Sequence, residues 1–277
     1  MIELLAFDFM RRAMIAAVLV GLAAPAVGTF IVQRRLSLLG DGIGHVALTG
    51  VALGFLTGTA PVLTAVAVSV LGAIVIELVR ARGRTSGDVA LALLFYGGIA
   101  GGVMLIGLAP GGSNSTLTAY LFGSISSVTA TDLWVIAIMA VAVLGVVAVF
   151  GRELFVLCQD EEVAKASGLP VRFLSLLIAV TAALTVVVAM RVVGLLLVSA
   201  LMVVPVATSQ QLTRGFRATM LLSMALGVVA TVGGLTSAFY VDVAPGAAIV
   251  LIALTGFGVA LGVGRFVRRS RTQESAT

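Results

Sequence analysis

A single cysteine, Cys158, leaves this chain of 277 residues with no intramolecular disulfide and no thiolate-rich metal site. Oxygen and imidazole are the ligand types that remain. Histidine is equally scarce, because His45 is the only one. Charged residues make up 10% of the sequence, and its cations sit in short polar breaks instead of alternating with aromatics, so the chain does not read as a nucleic-acid binder. There is no Gly-x-x-x-x-Gly-Lys-Ser/Thr phosphate loop, no glycine-rich dinucleotide turn and no nucleophile with a histidine base. Enzyme chemistry therefore has no visible centre.

What fills the sequence is apolar. Hydrophobic residues account for 60% of it and the mean hydropathy is +1.21, more apolar surface than one soluble core can hide. Runs long enough for a helix to cross about 30 Å of hydrocarbon occupy 13–32, 60–79, 88–108, 131–150, 171–190, 192–212, 217–240 and 246–266, and a shorter run covers 42–57. The run after Arg11 and Arg12 is too long for a secretory signal and reads as a retained span. The breaks at Arg80, Arg82 and Arg84, at 152–172, at Arg214 and Arg217, and in the tail at Arg265, Arg268, Arg269 and Arg271 are cationic. By the positive-inside rule they are cytoplasmic, whereas the cation-free breaks 110–118 and 241–245 are external. The expected fold is an all-α polytopic protein of the plasma membrane with a cytoplasmic C-terminus. It has eight transmembrane helices, or nine if 42–57 crosses fully, in one domain over 1–267 followed by a basic, polar tail at 268–277. Eight spans put both ends inside; nine put the N-terminus outside.

Three segments depart from plain spans. Residues 117–127 are amphiphilic and too short to cross, which predicts a short external helix, interfacial or re-entrant. Pro205 lies within the run 192–212, where the missing N–H bends or breaks a helix; with Ser199 it is a candidate for lining a pathway, the other reading being a kink absorbed by packing. The connection 152–172 carries its own punctuation: Asp160 as N-cap, Glu161 and Glu162 in the first turn, Lys165 further on, Gly168 to close and Pro170 to prevent continuation. A short polar helix at about 159–169 follows, either a plain connector or a handle for a soluble partner.

Asp41 and His45 lie four residues apart, on one face of a helix, in a segment that otherwise reads as membrane-embedded. An ionisable side chain at membrane depth costs roughly 2.5 kcal/mol or more, so a pair of them marks a functional site, here one able to hold a divalent metal ion. Two plainer readings stand beside it: Asp41 caps its helix, and His45 is a hydrogen-bonded packing residue. Glu77, Asp88 and Asp132 fall at span ends, and Arg191 and Asp242 on the external side, where solvated positions are the ordinary expectation.

The ordered motifs 34–41 with His45, Tyr120-Leu121-Phe122-Gly123-Ser124, Gly168-Leu169-Pro170, 193–201 with Pro205, Gly234-Leu235 and Pro245-Gly246 together resemble the membrane subunit of bacterial ABC importers for zinc, manganese or iron. That resemblance implies a permease without its own ATPase site and with no resident cofactor, its cargo being the divalent metal (Zn, Mn or Fe). It also implies partners: a second permease subunit forming a homodimer, cytoplasmic ATP-binding subunits, an extracytoplasmic metal-binding protein and the surrounding membrane lipid. Asp41 and His45 then match the metal ligands of the path, and 160–168 the coupling helix. A proton-coupled carrier using Asp41 and His45 as a relay is the alternative that residue chemistry leaves open.

Overall fold

The structure, a computed structural model, describes residues 7–81, 87–109, 119–124 and 128–274, with side chains followed as far as residue 262. Among the described residues there is no strand. Ten helices are α1 (Asp8–Gln33), α2 (Leu39–Thr57), α3 (Pro61–Ala81), α4 (Gly87–Leu108), α5 (Ala130–Gln159), α6 (Glu161–Ala166), α7 (Val171–Met190), α8 (Val198–Leu212), α9 (Phe216–Val241) and α10 (Pro245–Glu274). Eight of them are long and apolar enough to cross a membrane; α8, with 15 residues, is a shorter apolar helix, and α6 has six.

The chain alternates between two ends of the bundle. Arg34, just past α1, donates to Ser175 Oγ at 2.9 Å and pairs with Glu161 at 3.3 Å, so α1 finishes and α7 begins at the end that carries α6. Phe7, before α1, meets Phe239 near the close of α9 at the opposite end, with ring centroids 6.2 Å apart. The 42–57 segment is therefore a full helix, α2, lengthened to nineteen residues and running away from the α6 end. With α8 completing the alternation, nine helices run between the two ends among the described residues, eight of them long enough to cross a membrane. Residue 7 and the end of α10 lie at opposite ends.

The shortened pass falls at 192–212. Residues 191–197 are turns and irregular backbone before α8 begins, and Gly194 has φ +87, a conformation that side-chain-bearing residues resist. Exposed backbone of this kind is not tolerated by lipid, and here it finds protein partners. Leu195 N donates to Tyr120 O at 2.9 Å and Leu196 N to Leu121 O at 3.2 Å, clasping the helical turn 119–122. A Cβ on Gly194 would overlap the Phe122 backbone, and one on Gly246 the Val193 carbonyl, so glycine is what allows the clasp to close. Pro205 does not break its helix; α8 runs through it, and the interruption lies upstream at Gly194. Of the short external helix expected at 117–127, residues 119–122 form one helical turn, while 117, 118 and 125–127 lie outside the described residues. The expected tail begins within α10, whose backbone stays helical to Glu274.

Packing follows membrane rules. Lipid gives helices no hydrophobic reason to associate, so close contact depends on small residues that let backbones approach. Gly28 of α1 abuts the Met202 carbonyl of α8, Gly21 meets Thr231 of α9, and Gly98 of α4 lies against the backbone of His45. Thr231 Oγ1 donates to Ala17 O at 2.9 Å across the α1–α9 contact. α1, α2 and α7 are largely enclosed by the rest of the chain, whereas α3, α4 and α5 bury only a strip. Asp41 and His45 sit on one of the enclosed helices, α2.

Candidate functional site

Asp41 is the third residue of α2 and His45 the seventh, so the pair lies one to two turns inside the α6 end of the bundle. Three glycines shape its surroundings. A Cβ on Gly40 would stand 3.1 Å from Ser199 Cβ, one on Gly42 2.9 Å from Leu91, and one on Gly44 3.4 Å from Leu195 O. Gly40 and Gly44 let the start of α8 and the irregular stretch before it press against α2, and Gly42 does the same for α4. Ser199 Oγ consequently donates to Asp41 Oδ1 across 158 residues of sequence.

That bond answers the capping reading. The cap position of α2 is Leu38, with no side-chain cap, and the Asp41 carboxylate engages a hydroxyl on another helix. His45 is not a satisfied packing residue either, because its Nδ1 is buried with no hydrogen-bond partner. The imidazole is held by shape, edge-on to Phe95 at 4.4 Å between ring centroids. An unsatisfied buried nitrogen carries a desolvation cost of about 1–3 kcal/mol, which a ligand at that atom would offset. Among the described residues no group of three or more His, Cys, Asp and Glu side chains is assembled. One chain alone thus offers a carboxylate, an imidazole and a hydroxyl. Pro205 is buried further along α8, two turns from Ser199.

At the α6 end every expected capping feature is realised. Asp160 Oδ1 accepts from Glu162 N at 2.8 Å and Val163 N at 3.2 Å. Lys165 pairs with Glu162 at 3.0 Å and Glu161 at 3.2 Å, and acceptance first by Glu162 and then by Glu161 raises the pKa of its ammonium. Gly168, at φ +77, closes the helix with Leu169 N on Ala164 O and Gly168 N on Lys165 O. Pro170 then leads into α7. Arg34, read in the sequence only as the start of the 34–41 motif, ties this turn to the membrane helices: its side chain is only 7% exposed, and it bridges α1 to Glu161 and Ser175. Replacing Asp160 with Ala is expected to cost α6 about 1 kcal/mol. Hydrogen exchange at the Glu162 and Val163 amides reads this directly, and exchange unchanged from wild type contradicts the capping role.

The opposite end holds a second polar cluster that the sequence reading treated as separate surface charges. Arg191 pairs with Asp132 at 2.9 Å and lies over the Tyr120 ring at 5.0 Å. Asp132 also completes a capping box with Thr129. Burial pushes the Tyr120 phenol pKa up, with Arg191 pulling it back. The spacing of Thr129 and Asp132 was the signal for the cap; nothing local announced Arg191 as its partner.

The likeness to known proteins covers the whole bundle. The sequence profile described as the ABC 3 transport family matches residues 6–263. The manganese transport system membrane protein MntC of Listeria innocua is 34% identical over 257 residues, covering 93% of this chain and 91% of that protein. The manganese import system permease protein ScaB of Streptococcus gordonii is 35% identical over 245 residues, covering 88% of this chain and 87% of that protein. Among solved structures, PsaBC from Streptococcus pneumoniae in complex with Fab superposes with a TM-score of 0.85 at 35% identity, covering 94% of this chain and 93% of the other. A multi-pass bundle of the same shape, matched from its first helix to its last, places this chain in the ABC 3 transport family as a membrane permease.

Proposed function

We propose that this chain is the permease of an ATP-driven importer of a divalent transition-metal ion, with manganese as the first candidate cargo and zinc and iron as competitors, and that Asp41 and His45 contact the ion in transit. The observation that carries the reading is the His45 Nδ1, buried without a partner one turn from a carboxylate positioned by Ser199. A carboxylate and a neutral imidazole suit such a cation. Facing a second copy of the chain, two such pairs supply four ligands with a net charge of two minus, which neutralises the incoming ion. Tight coordination in every state would trap the cargo, so the site is complete in one conformation and opened in the other.

Power comes from ATP-binding subunits gripping α6 on the cytoplasmic side, where the C-terminus also lies, and an extracytoplasmic binding protein delivers the metal at the opposite end. Arg34 fits the transmission path, because it joins α6 to the segment leading into α2. The names of the manganese-system relatives support the choice of cargo. Reconstituted with its ATPase partner, the chain is expected to take up radiolabelled Mn²⁺ only with ATP and indifferently to a protonophore. Uptake that ignores ATP and collapses with the protonophore overturns this reading in favour of a proton-coupled carrier relaying through Asp41 and His45.

A further inference from the structure

Two clefts of about 700 Å³ open at the α6 end, beside a smaller one of about 120 Å³ at the α1–α2 connection, and the charge patterns of the two large ones differ. The one between α3, α6 and α7 mixes Arg34, Arg80, Lys165 and Arg172 with Glu77 and Glu161, and most of these are already paired. The other, about 700 Å³, lies between α5 and α9 and contains two cations, Arg152 and Arg217, with no carboxylate among its lining residues. Both arginines are exposed, and no ion pair to either is found among the described residues.

The rest of this cleft is apolar. α5 and α9 each pack on α1 but barely touch each other, which leaves a wedge open towards the bilayer. Phe155 and Phe216 pack with tilted rings, centroids 4.7 Å apart, and Phe216 packs likewise on Phe30 at 5.4 Å, forming the floor. Val147, Ala148 and Met220 extend the wall along the membrane direction. Depth follows from length: Arg152 lies 22 residues beyond the start of α5, about 33 Å at 1.5 Å per residue, which is one hydrocarbon thickness. Arg217 is the second residue of α9 and sits at the same end. Both guanidinium groups therefore reach headgroup level while the groove below them is at acyl-chain level.

We propose that this cleft is a binding site for an anionic phospholipid of the leaflet at the α6 end, its phosphate held by Arg152 and Arg217 and one acyl chain lying against Val147 and the phenylalanine floor. Charge complementarity selects the occupant. Two unpaired cations above an apolar groove match a lipid carrying a net negative headgroup and leave a zwitterionic one with its ammonium unmatched. An acidic segment of a soluble subunit would satisfy the arginines but has no use for the groove beneath them. The site is distinct from the Asp41 region and does not depend on which ion is carried.

The test uses the full chain in mild detergent, with phosphatidylglycerol and phosphatidylcholine titrated separately and bound lipid counted by native mass spectrometry. Phosphatidylglycerol is expected to bind roughly tenfold or more tightly than phosphatidylcholine, and the double variant Arg152→Gln with Arg217→Gln is expected to erase that preference. A second variant keeps the charges: Gly151 lines the cleft and a Cβ there meets no atom within 4 Å, so a side chain can enter the groove from that position, and Gly151→Leu, with thermal unfolding checked against wild type, is expected to weaken phosphatidylglycerol binding. Equal binding of the two lipids by the wild type, or a phosphatidylglycerol preference that survives the double variant, overturns the proposal. So does a double variant that keeps its lipid and loses the ATPase subunits, which assigns the arginines to a protein interface.

Discussion

Asp41→Asn is expected to reduce Mn²⁺ uptake by the assembled transporter roughly a hundredfold or more, with the permease present at wild-type amounts. The substitution keeps an oxygen where Ser199 Oγ donates and removes only the charge, so it isolates the electrostatic part of cargo binding. His45→Ala is expected to lose a comparable amount, because it deletes the one nitrogen placed at the site without a partner. Ser199→Ala should be milder, roughly tenfold, since outer partners of a metal ligand tune its orientation and typically contribute ~10–100-fold to affinity. A graded series in that order supports contact between the pair and the ion. Unchanged uptake in both the Asp41 and His45 variants, with normal protein levels, would falsify it and return the pair to a role in sealing the bundle.

A large effect on the folded state is expected from Gly28→Ala. A methyl group there runs into the carbonyl and backbone of Met202, and backbone cannot move aside as a flexible side chain can. Overpacking usually costs about 1–3 kcal/mol, and with no side chain able to yield this site belongs at the top of that range or above it. The α1–α8 contact would have to separate, and the start of α8, which carries Ser199, would move with it. Gly145→Ala is the matched control, because nothing lies within 4 Å of a Cβ built at that position. There the better helix propensity of alanine, worth up to about 1 kcal/mol, should leave the protein as stable as before or slightly more so. Thermal unfolding of the two variants in one detergent decides the matter; equal melting temperatures contradict the close-approach account.

Hydropathy made the spans readable because the cost of exposing polar backbone to lipid is large and local. The capped turn around α6 was equally legible, since Asp160, Gly168 and Pro170 each act within four residues of themselves. What escaped has a common physical cause. Residues 191–197 are as apolar as a helix, and an irregular stretch whose carbonyls and amides are satisfied by another segment looks the same to a hydropathy window as a helix that satisfies them itself. The break was therefore sought at Pro205, when it is the conformational freedom of Gly194 and the proximity of Tyr120 that produce it. Arg34 with Ser175, and Asp132 with Arg191, are partners across 141 and 59 residues, and no spacing rule reaches that far. Asp41 and His45 were visible as a chemical anomaly. Ser199 was flagged as pathway-lining, but its bond to Asp41 emerged only when Gly40 let α8 come close.

The contact of α1 with α9 bears on the order in which the protein is made. Synthesis delivers α1 first, yet the helix it packs against most extensively arrives some two hundred residues later, bringing Thr231 to the Ala17 carbonyl and the backbone around Gly227 to Gly21. Until α9 follows, the Gly21 notch of α1 has no occupant, although α5, α7 and α8 already pack on that helix. A chain stopped short of α9 therefore leaves its earliest helix without its main partner, open to whatever small-residue surface drifts past. Completion of α9 seats Thr231 and Gly227 on α1, and α10 then closes the bundle, packing on α8 and α9 with Gly246 against Val193.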